Sequence, residues 1–426
     1  MPVFRKFCRR RIVMSVVIPF RALRPGRSFA KEVASLPYDV LNRDEARALA
    51  SGNPVSFLRV EKSEIDVNPP DDVVPEKIFE KAKENLENFV RQGVMLQDEN
   101  PCFYIYRQRM GAHEQTGIVG CASVSEYESG LIKKHELTRA DKELERTRHV
   151  DTVNAQTGPV FLTYRAAEEI DRLVEGFKSG SPEYDFTAAD GIVHTVWIVS
   201  NPEDIRNLAQ ELRKLEALYI ADGHHRAAAA CSVCRFRREG NPGHRGDEPY
   251  NFFLSVIFPH NQLRIMDYNR AVRDLHGLEK EEFLRKVEEL FEIRADFTAK
   301  SPSAFHSFGM YLDGRWYELT ARKNLCDETD PIGSLDVSIL QNHLLEPVLG
   351  IHDPRTDQRI DFIGGIRGME ELERLVDSGK FAVAFSLFPT TLDQLMAVAD
   401  AGLVMPPKST WFEPKLRSGL FVHRLQ

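Results

Sequence analysis

Short apolar runs separated by polar turns dominate the first 260 residues of the chain. The runs Val16–Phe20, Phe103–Tyr106, Thr116–Val124, Val160–Tyr164, Val193–Val199, Leu218–Ile220 and Asn251–Phe258 have strand length and are rich in β-branched and aromatic residues. Phe57–Val60 reads the same way. Helices are expected at Asn42–Ser51, where Asn42 followed by Glu45 is a capping-box pattern, and at Glu76–Gln92, closed by Gly93. Two more follow at Ala166–Lys178 and Pro202–Leu215. Ala227–Cys231 has high helix propensity and opens another. Leu36–Val40 is a proline elbow, and Asp66–Val74 is a Pro/Asp-rich loop. Arg109–Gln115 reads as a loop between two strands, and Arg235–Tyr250 as a mobile surface loop. After Met266 helical patterns prevail, with strands at Tyr311–Leu312 and Phe381–Leu387. There is no steady βαβ alternation and no G-x-G-x-x-G, which argues against a Rossmann or Walker-type domain. The pattern predicts an α+β chain with a mixed-sheet core and a helix-rich C-terminal region. Its expected divisions are a basic extension over 1–14, a core over 15–260 and a C-terminal α+β domain over 261–426.

Composition narrows the classes. The 426 residues are 42% hydrophobic and 28% charged, an ordinary balance for a soluble chain, and the net charge of −8 argues against a general nucleic-acid binder. No apolar run is long enough to cross a bilayer. Arg5–Arg11 followed by Ile12–Phe20 is similar to a weak signal sequence, but the apolar part is short and no cleavage site follows. The expectation is that Met14 opens the protein. Of the six cysteines, only Cys231 and Cys234 are a C-x-x-C pair. They share a face of the Ala-rich helix and read as buried thiols rather than half of a zinc site, which fits a reducing cytoplasm.

The chemistry concentrates in a few blocks. Ala221-Asp222-Gly223-His224-His225-Arg226 falls where an apolar strand ends and a helix begins. The first N–H groups of a helix attract anions, and glycine allows close approach to the backbone. Arg226 adds a fork of donors, so the block reads as a phosphate cradle. A metal site is the rival reading, although two adjacent histidines rarely reach one ion together. Lys133–Thr138 offers Lys134, His135 and Glu136, a cation, an imidazole and a carboxylate in succession. Glu136 suits a general base or a Mg²⁺ ligand. A proline-stiffened loop, Met405–Lys415, carries Lys408, Ser409 and Thr410, natural partners for an oxyanion, followed by Trp411 and Phe412. Tyr38 and Asp39, in the proline elbow, are candidates to line a substrate pocket.

Together these blocks resemble a bacterial and archaeal family, domain of unknown function 1015. The matching pieces are Ile18–Pro25, Pro37–Val40, His135–Thr138, Gly158–Phe161, Ile220–Arg226 and Met405–Leu416, in one order over residues 15–424. The central motif is also similar to the phosphate-binding turn of the ParB/sulfiredoxin superfamily, which includes free-serine kinases. The resemblance implies a ParB/sulfiredoxin-like core and phosphoryl transfer from ATP or ADP, with Mg²⁺, to a small hydroxylated metabolite such as free L-serine. It implies that Asp222, Gly223, His224, His225 and Arg226 hold phosphates and that Lys134, Lys408, Ser409 and Thr410 assist. Glu136, His135 and His224 would then be catalytic, and Tyr38 and Asp39 would bind substrate. A homodimer fits this picture, as does a cytoplasmic location. A nucleotide-binding regulator and a phosphoester hydrolase, such as a phosphoserine phosphatase, are the alternatives. Ala227 stands where relatives commonly carry an aromatic residue, so packing beside the turn departs from theirs.

Overall fold

The computed structural model of the protein describes residues 16–67, 75–327 and 329–426. The basic stretch at 1–14, Cys8 and most of the 66–74 loop fall outside these. The chain divides into two compact units, one of residues 1–133, 138–262 and 414–426, the other of 134–137 and 263–413.

The first unit is built on a nine-stranded mixed sheet. Its strands are β1 (Val17–Ile18), β2 (Phe103–Met110), β3 (His113–Ser123), β4 (Ile132–Lys133), β5 (Val160–Tyr164), β6 (Tyr184–Thr187), β7 (Val193–Val199), β8 (Leu218–Asp222) and β9 (Phe252–Pro259). They run in the order β4-β8-β5-β9-β3-β2-β7-β6, with β1 beside β3. β8 is parallel to β4, and β9 is parallel to β5; the remaining pairs are antiparallel. β3 is central and buried from Gln115 onward, which explains why it reads as a continuous run rather than an alternating one. Ile105, Ile118, Leu162, Ile220 and Ile257 of the sheet share one core with Val150 of helix α1 (Ala140–Val153) and with Ala227, Ala230 and Cys231 of helix α2 (His224–Glu239).

The second unit holds a six-stranded antiparallel sheet. Its strands are β10 (Tyr268–Val272), β11 (Phe291–Ala295), β12 (Ser307–Leu312), β13 (Arg315–Ala321), β14 (Ile360–Gly364) and β15 (Val383–Leu387), ordered β11-β13-β12-β15-β10-β14. Ala271, Tyr311, Trp316, Ile363, Leu372 and Phe381 form its core. The protein is therefore α+β, as expected. Among the described residues no helix is long and apolar enough to cross a membrane.

Several local expectations hold. The Arg43–Ala50 helix carries the Asn42–Glu45 capping box, and the Pro75–Arg91 helix runs up to Gly93 at φ 71°. Others change. Phe57–Val60 is not a strand: Leu58–Glu61 is a helical turn, an instance of a short buried apolar run that periodicity alone does not assign. The 109–115 segment is no loop either. β2 and β3 pair up to Met110 and His113, so only Gly111 and Ala112 make the turn. Arg109 and Glu114 face each other across this ladder, and their polarity masked its strand character. Arg235–Glu239 continues helix α2 and so shortens the expected surface loop.

Candidate functional site

Strand β8 ends in an irregularity that aims the candidate turn. Ile220 pairs with Leu162, but Asp222 pairs with Phe161, so one extra residue bulges between them. A bulge bends its strand and redirects side chains. Asp222 Oδ1 accepts a bond from Gly223 N at 2.7 Å. Gly223 then takes the left-handed conformation, φ 90° and ψ 30°, and helix α2 starts at His224 with no side-chain cap on Gly223. An alanine methyl group at Gly223 would clash with nothing, its nearest neighbour being 3.5 Å away; the backbone conformation is what calls for glycine. His225 Nε2 accepts from the backbone N–H of Arg139 at 3.1 Å.

Beneath this turn lies an ionic layer in which the Arg226 and Lys415 side chains are largely buried while those of Asp39 and Asp222 stay about a third exposed. Arg226 donates to both Asp39 oxygens, at 2.8 and 3.0 Å, and to the Pro159 carbonyl at 2.8 Å. Its Nε is buried and unbonded in the structure. Lys415 Nζ meets Asp222 Oδ2 at 2.9 Å. Gln108 holds the Lys415 carbonyl at 2.9 Å and is itself held by Gln115. Desolvation opposes the charge on Asp222, but the Lys415 and Arg226 charges outweigh it and keep the carboxyl well below its usual range. Burial likewise works against the Arg226 cation, and the charges of Asp39 and Asp222 more than offset it.

Tyr38 packs between two guanidinium groups, 4.6 Å from Arg146 and 5.6 Å from Arg226. Burial pushes its hydroxyl up to about 12. Arg146 in turn forms a two-pronged pair with Glu61, at 2.9 and 3.1 Å, and donates to Thr157 at 2.8 Å. Burial alone would raise the Glu61 pKa, yet the Arg146 charge and its hydrogen bonds bring it down to about 2. Gly158 crosses this layer closely: a methyl group there would lie 3.1 Å from Ser418 Oγ and 3.4 Å from Glu61 Oε1. Arg146, Thr157, Gly158 and Arg226 line a gap of about 10 Å³, the size of one water-sized sphere.

The first unit thus brings Tyr38 and Asp39 to Arg226 and the turn. Sequence reasoning missed Glu61, Arg146, His149, Thr157 and Lys415. A signal for two of these was present: Arg146, His149, Val150 and Val153 recur at helical spacing and share the buried face of α1. Polar residues on an apolar stripe mark a buried network.

Lys134, His135 and Glu136 belong to the second unit, as do Lys408, Ser409 and Thr410. The structure joins these two blocks. The Met405 N–H donates to the His135 carbonyl at 2.8 Å, and Thr410 Oγ1 lies 3.5 Å from His135 Nε2. His135 is buried, whereas Lys408 is exposed and has a left-handed backbone, φ 58°. Ser409 Oγ donates to the Pro406 carbonyl at 2.6 Å, and Thr390 Oγ1 donates to the Ser409 carbonyl at 3.0 Å.

Comparison with known families matches residues 17–338 to the family described as "Protein of unknown function (DUF1015)". The chain belongs to this family. No curated protein sequence matches it. Among solved structures it is similar to a free serine kinase in complex with AMP, at 13% identity and a TM-score of 0.35, over 72% of this chain and 91% of that one. It is also similar to a conserved hypothetical protein from Pyrococcus furiosus, at 12% identity and a TM-score of 0.34, over 72% and 94%. A third is SbnI with a C-terminal truncation from Staphylococcus aureus, at 10% identity and a TM-score of 0.38, over 69% and 82%.

Proposed function

We propose that this member of the family is a nucleotide-dependent phosphotransferase, moving a phosphoryl group from ATP or ADP to a small hydroxylated metabolite. Free L-serine is the first acceptor to test. The observation that carries the reading is the Asp222–Arg226 turn. A left-handed glycine without a side-chain cap opens a 16-residue helix, and two imidazoles and a guanidinium occupy its first turn. Helix N-termini favour phosphate through backbone donors and the helix dipole. Phosphoryl transfer asks mainly for positioning and charge neutralisation, and those are what such a turn supplies.

In this reading Asp222 and Gly223 shape the cradle, while His224 and His225 face the phosphates. Arg226, tied to Asp39, lends positive charge from below. Tyr38 and Asp39 line the substrate side. Glu136 is the candidate base or Mg²⁺ ligand, with His135 to orient the acceptor. Lys134, Lys408, Ser409 and Thr410 are the further oxyanion partners.

A thermal-shift screen of nucleotides crossed with small hydroxylated metabolites tests the reading on the full chain. A nucleotide at about 100 times its dissociation constant adds roughly 2.7 kcal/mol of stability. Phosphoserine formed from serine and ATP or ADP, and lost in Glu136→Gln and Arg226→Ala, is the expected result. A chain whose melting temperature no nucleotide moves is not a phosphotransferase of this kind. Tight nucleotide binding without an acceptor-dependent product marks a regulator instead. Phosphate release from phosphoserine alone marks a hydrolase.

A further inference from the structure

The second unit contains a buried cation that no carboxylate among the described residues neutralises. Arg270, on β10, is 3% exposed. Its guanidinium donates to the Tyr268 carbonyl and, at 3.0 Å, to the Lys408 carbonyl. It also lies 5.2 Å over the Phe362 ring, and its cross-strand partners are Phe362 and Phe385. Among the described residues no carboxylate pairs with it. The nearby Asp267 is turned instead to the Asn269 amide. Burial pulls the Arg270 pKa down to about 10. A buried charge without an opposite charge is expensive, and folded proteins ordinarily pair it.

The loop that covers Arg270 adds a second cation. Lys408 gives its carbonyl to Arg270 and, in its left-handed conformation, keeps an exposed side chain whose Nζ lies 5.7 Å from the Tyr268 ring. A left-handed backbone costs a non-glycine residue roughly 1–2 kcal/mol. The Ser409 and Thr390 bonds fix the loop in this shape. Trp411 packs edge-on to Tyr268 at 5.2 Å.

We infer that the β10 strand and the Met405–Trp411 loop form an oxyanion site of the phosphate class, with Arg270 as its buried charge and Lys408 as its exposed one. The site belongs to the second unit alone. It adds Arg270, which the sequence did not single out, to Lys408, already an oxyanion partner in the proposed function, and its test is separable from that of the Asp222–Arg226 turn. A bound phosphate or phosphate ester would supply the negative charge that the protein withholds from Arg270. Guanidinium groups suit this through their planar, charge-assisted donors.

The test is the melting temperature of the full chain in inorganic phosphate against chloride at matched ionic strength. Phosphate is expected to raise it by a few degrees in the wild type. Arg270→Met is expected to lose that rise and to melt no lower than wild type in chloride, because removing an unpaired buried charge relieves a cost. Lys408→Ala, at an exposed position, is expected to fold normally and to show a reduced rise, so it decides the matter should Arg270→Met fail to fold. Gly223→Ala, which alters the turn behind the proposed function, is expected to keep the rise. Two results overturn the inference: no phosphate effect in the wild type, or a full effect in Lys408→Ala or Arg270→Met. A rise abolished by Gly223→Ala but not by Arg270→Met places the anion at the turn, which leaves the proposed function standing and this site refuted.

Discussion

Replacing Glu61 with glutamine keeps the shape of the side chain and removes one charge. The consequence is set by the partner. The Arg146 and Glu61 side chains are 5% and 0% exposed, so the variant strands the guanidinium inside the first unit. Breaking a buried pair in this way costs about 3–5 kcal/mol. The pKa offers a second route to the figure. Its fall from 4.5 to about 2 corresponds to about 3 kcal/mol at roughly 1.4 kcal/mol per unit. At about 2–4 °C per kcal/mol, melting should drop by roughly 10 °C. Because the folded pKa lies below the unfolded one, this stabilisation is complete above about pH 5.5 and fades as pH falls toward 2. At pH 3 the ionisation contributes only about 1 kcal/mol. Urea midpoints for wild type and Glu61→Gln at pH 7 and pH 3 read both effects. A penalty under about 1 kcal/mol at pH 7, or one that does not shrink at pH 3, refutes the reasoning. Removing both partners with Glu61→Leu and Arg146→Met should recover much of the loss, since an apolar replacement leaves no charge stranded.

Gly223→Ala should cost about 1–2 kcal/mol, the penalty of a left-handed alanine, and weaken any nucleotide-induced thermal shift; an unchanged melting temperature would contradict the left-handed turn. Burial holds the imidazoles of His149 and His423 down near 4 and that of His194 near 3. These groups stay neutral in the fold while the unfolded chain takes up protons, so stability should begin to fall as pH drops below about 6.5. Histidine NMR signals for these three that titrate above pH 6 would show otherwise. Cys121 and Cys231 are buried, and burial raises both thiols, Cys231 to about 11. Both should react slowly with a thiol reagent until the chain is unfolded in urea; rapid labelling of the native protein at either position would disprove their burial.

The α+β class was legible because most strands and helices announce themselves by length, residue type and caps. The Asn42 capping box and the Leu218–Asp222 strand leading into the Ala-rich helix are examples. What the sequence hid depends on distance along the chain. Asp39 lies 187 residues from Arg226, and Asp222 lies 193 residues from Lys415. No periodicity links such pairs. The Leu58–Glu61 turn was misread because four apolar-rich residues satisfy helix and strand alike. Arg139–Arg148 is a strongly charged stretch in sequence, yet its helix turns Arg146 inward to Glu61. The union of the His135 and Lys408 blocks was foreshadowed only by their shared chemistry, and Arg270 carried no signal because a lone arginine in a short apolar run reads as a surface residue.

The return of residues 414–426 to the first unit bears on how the protein is made. Lys415 closes on Asp222, and the terminal strand His423–Arg424 pairs with Ala155–Gln156. A nascent chain that has emerged only as far as Gln262 therefore lacks the pieces that neutralise Asp222 and cover the edge at Ala155. At about 5–20 residues per second, it waits on the order of ten to thirty seconds for them. During that interval the first unit is an incomplete body with an unpaired edge, the condition in which chaperones find their clients. Loss of residues 414–426 would turn that interval into a permanent state, and should be felt first as poor yield.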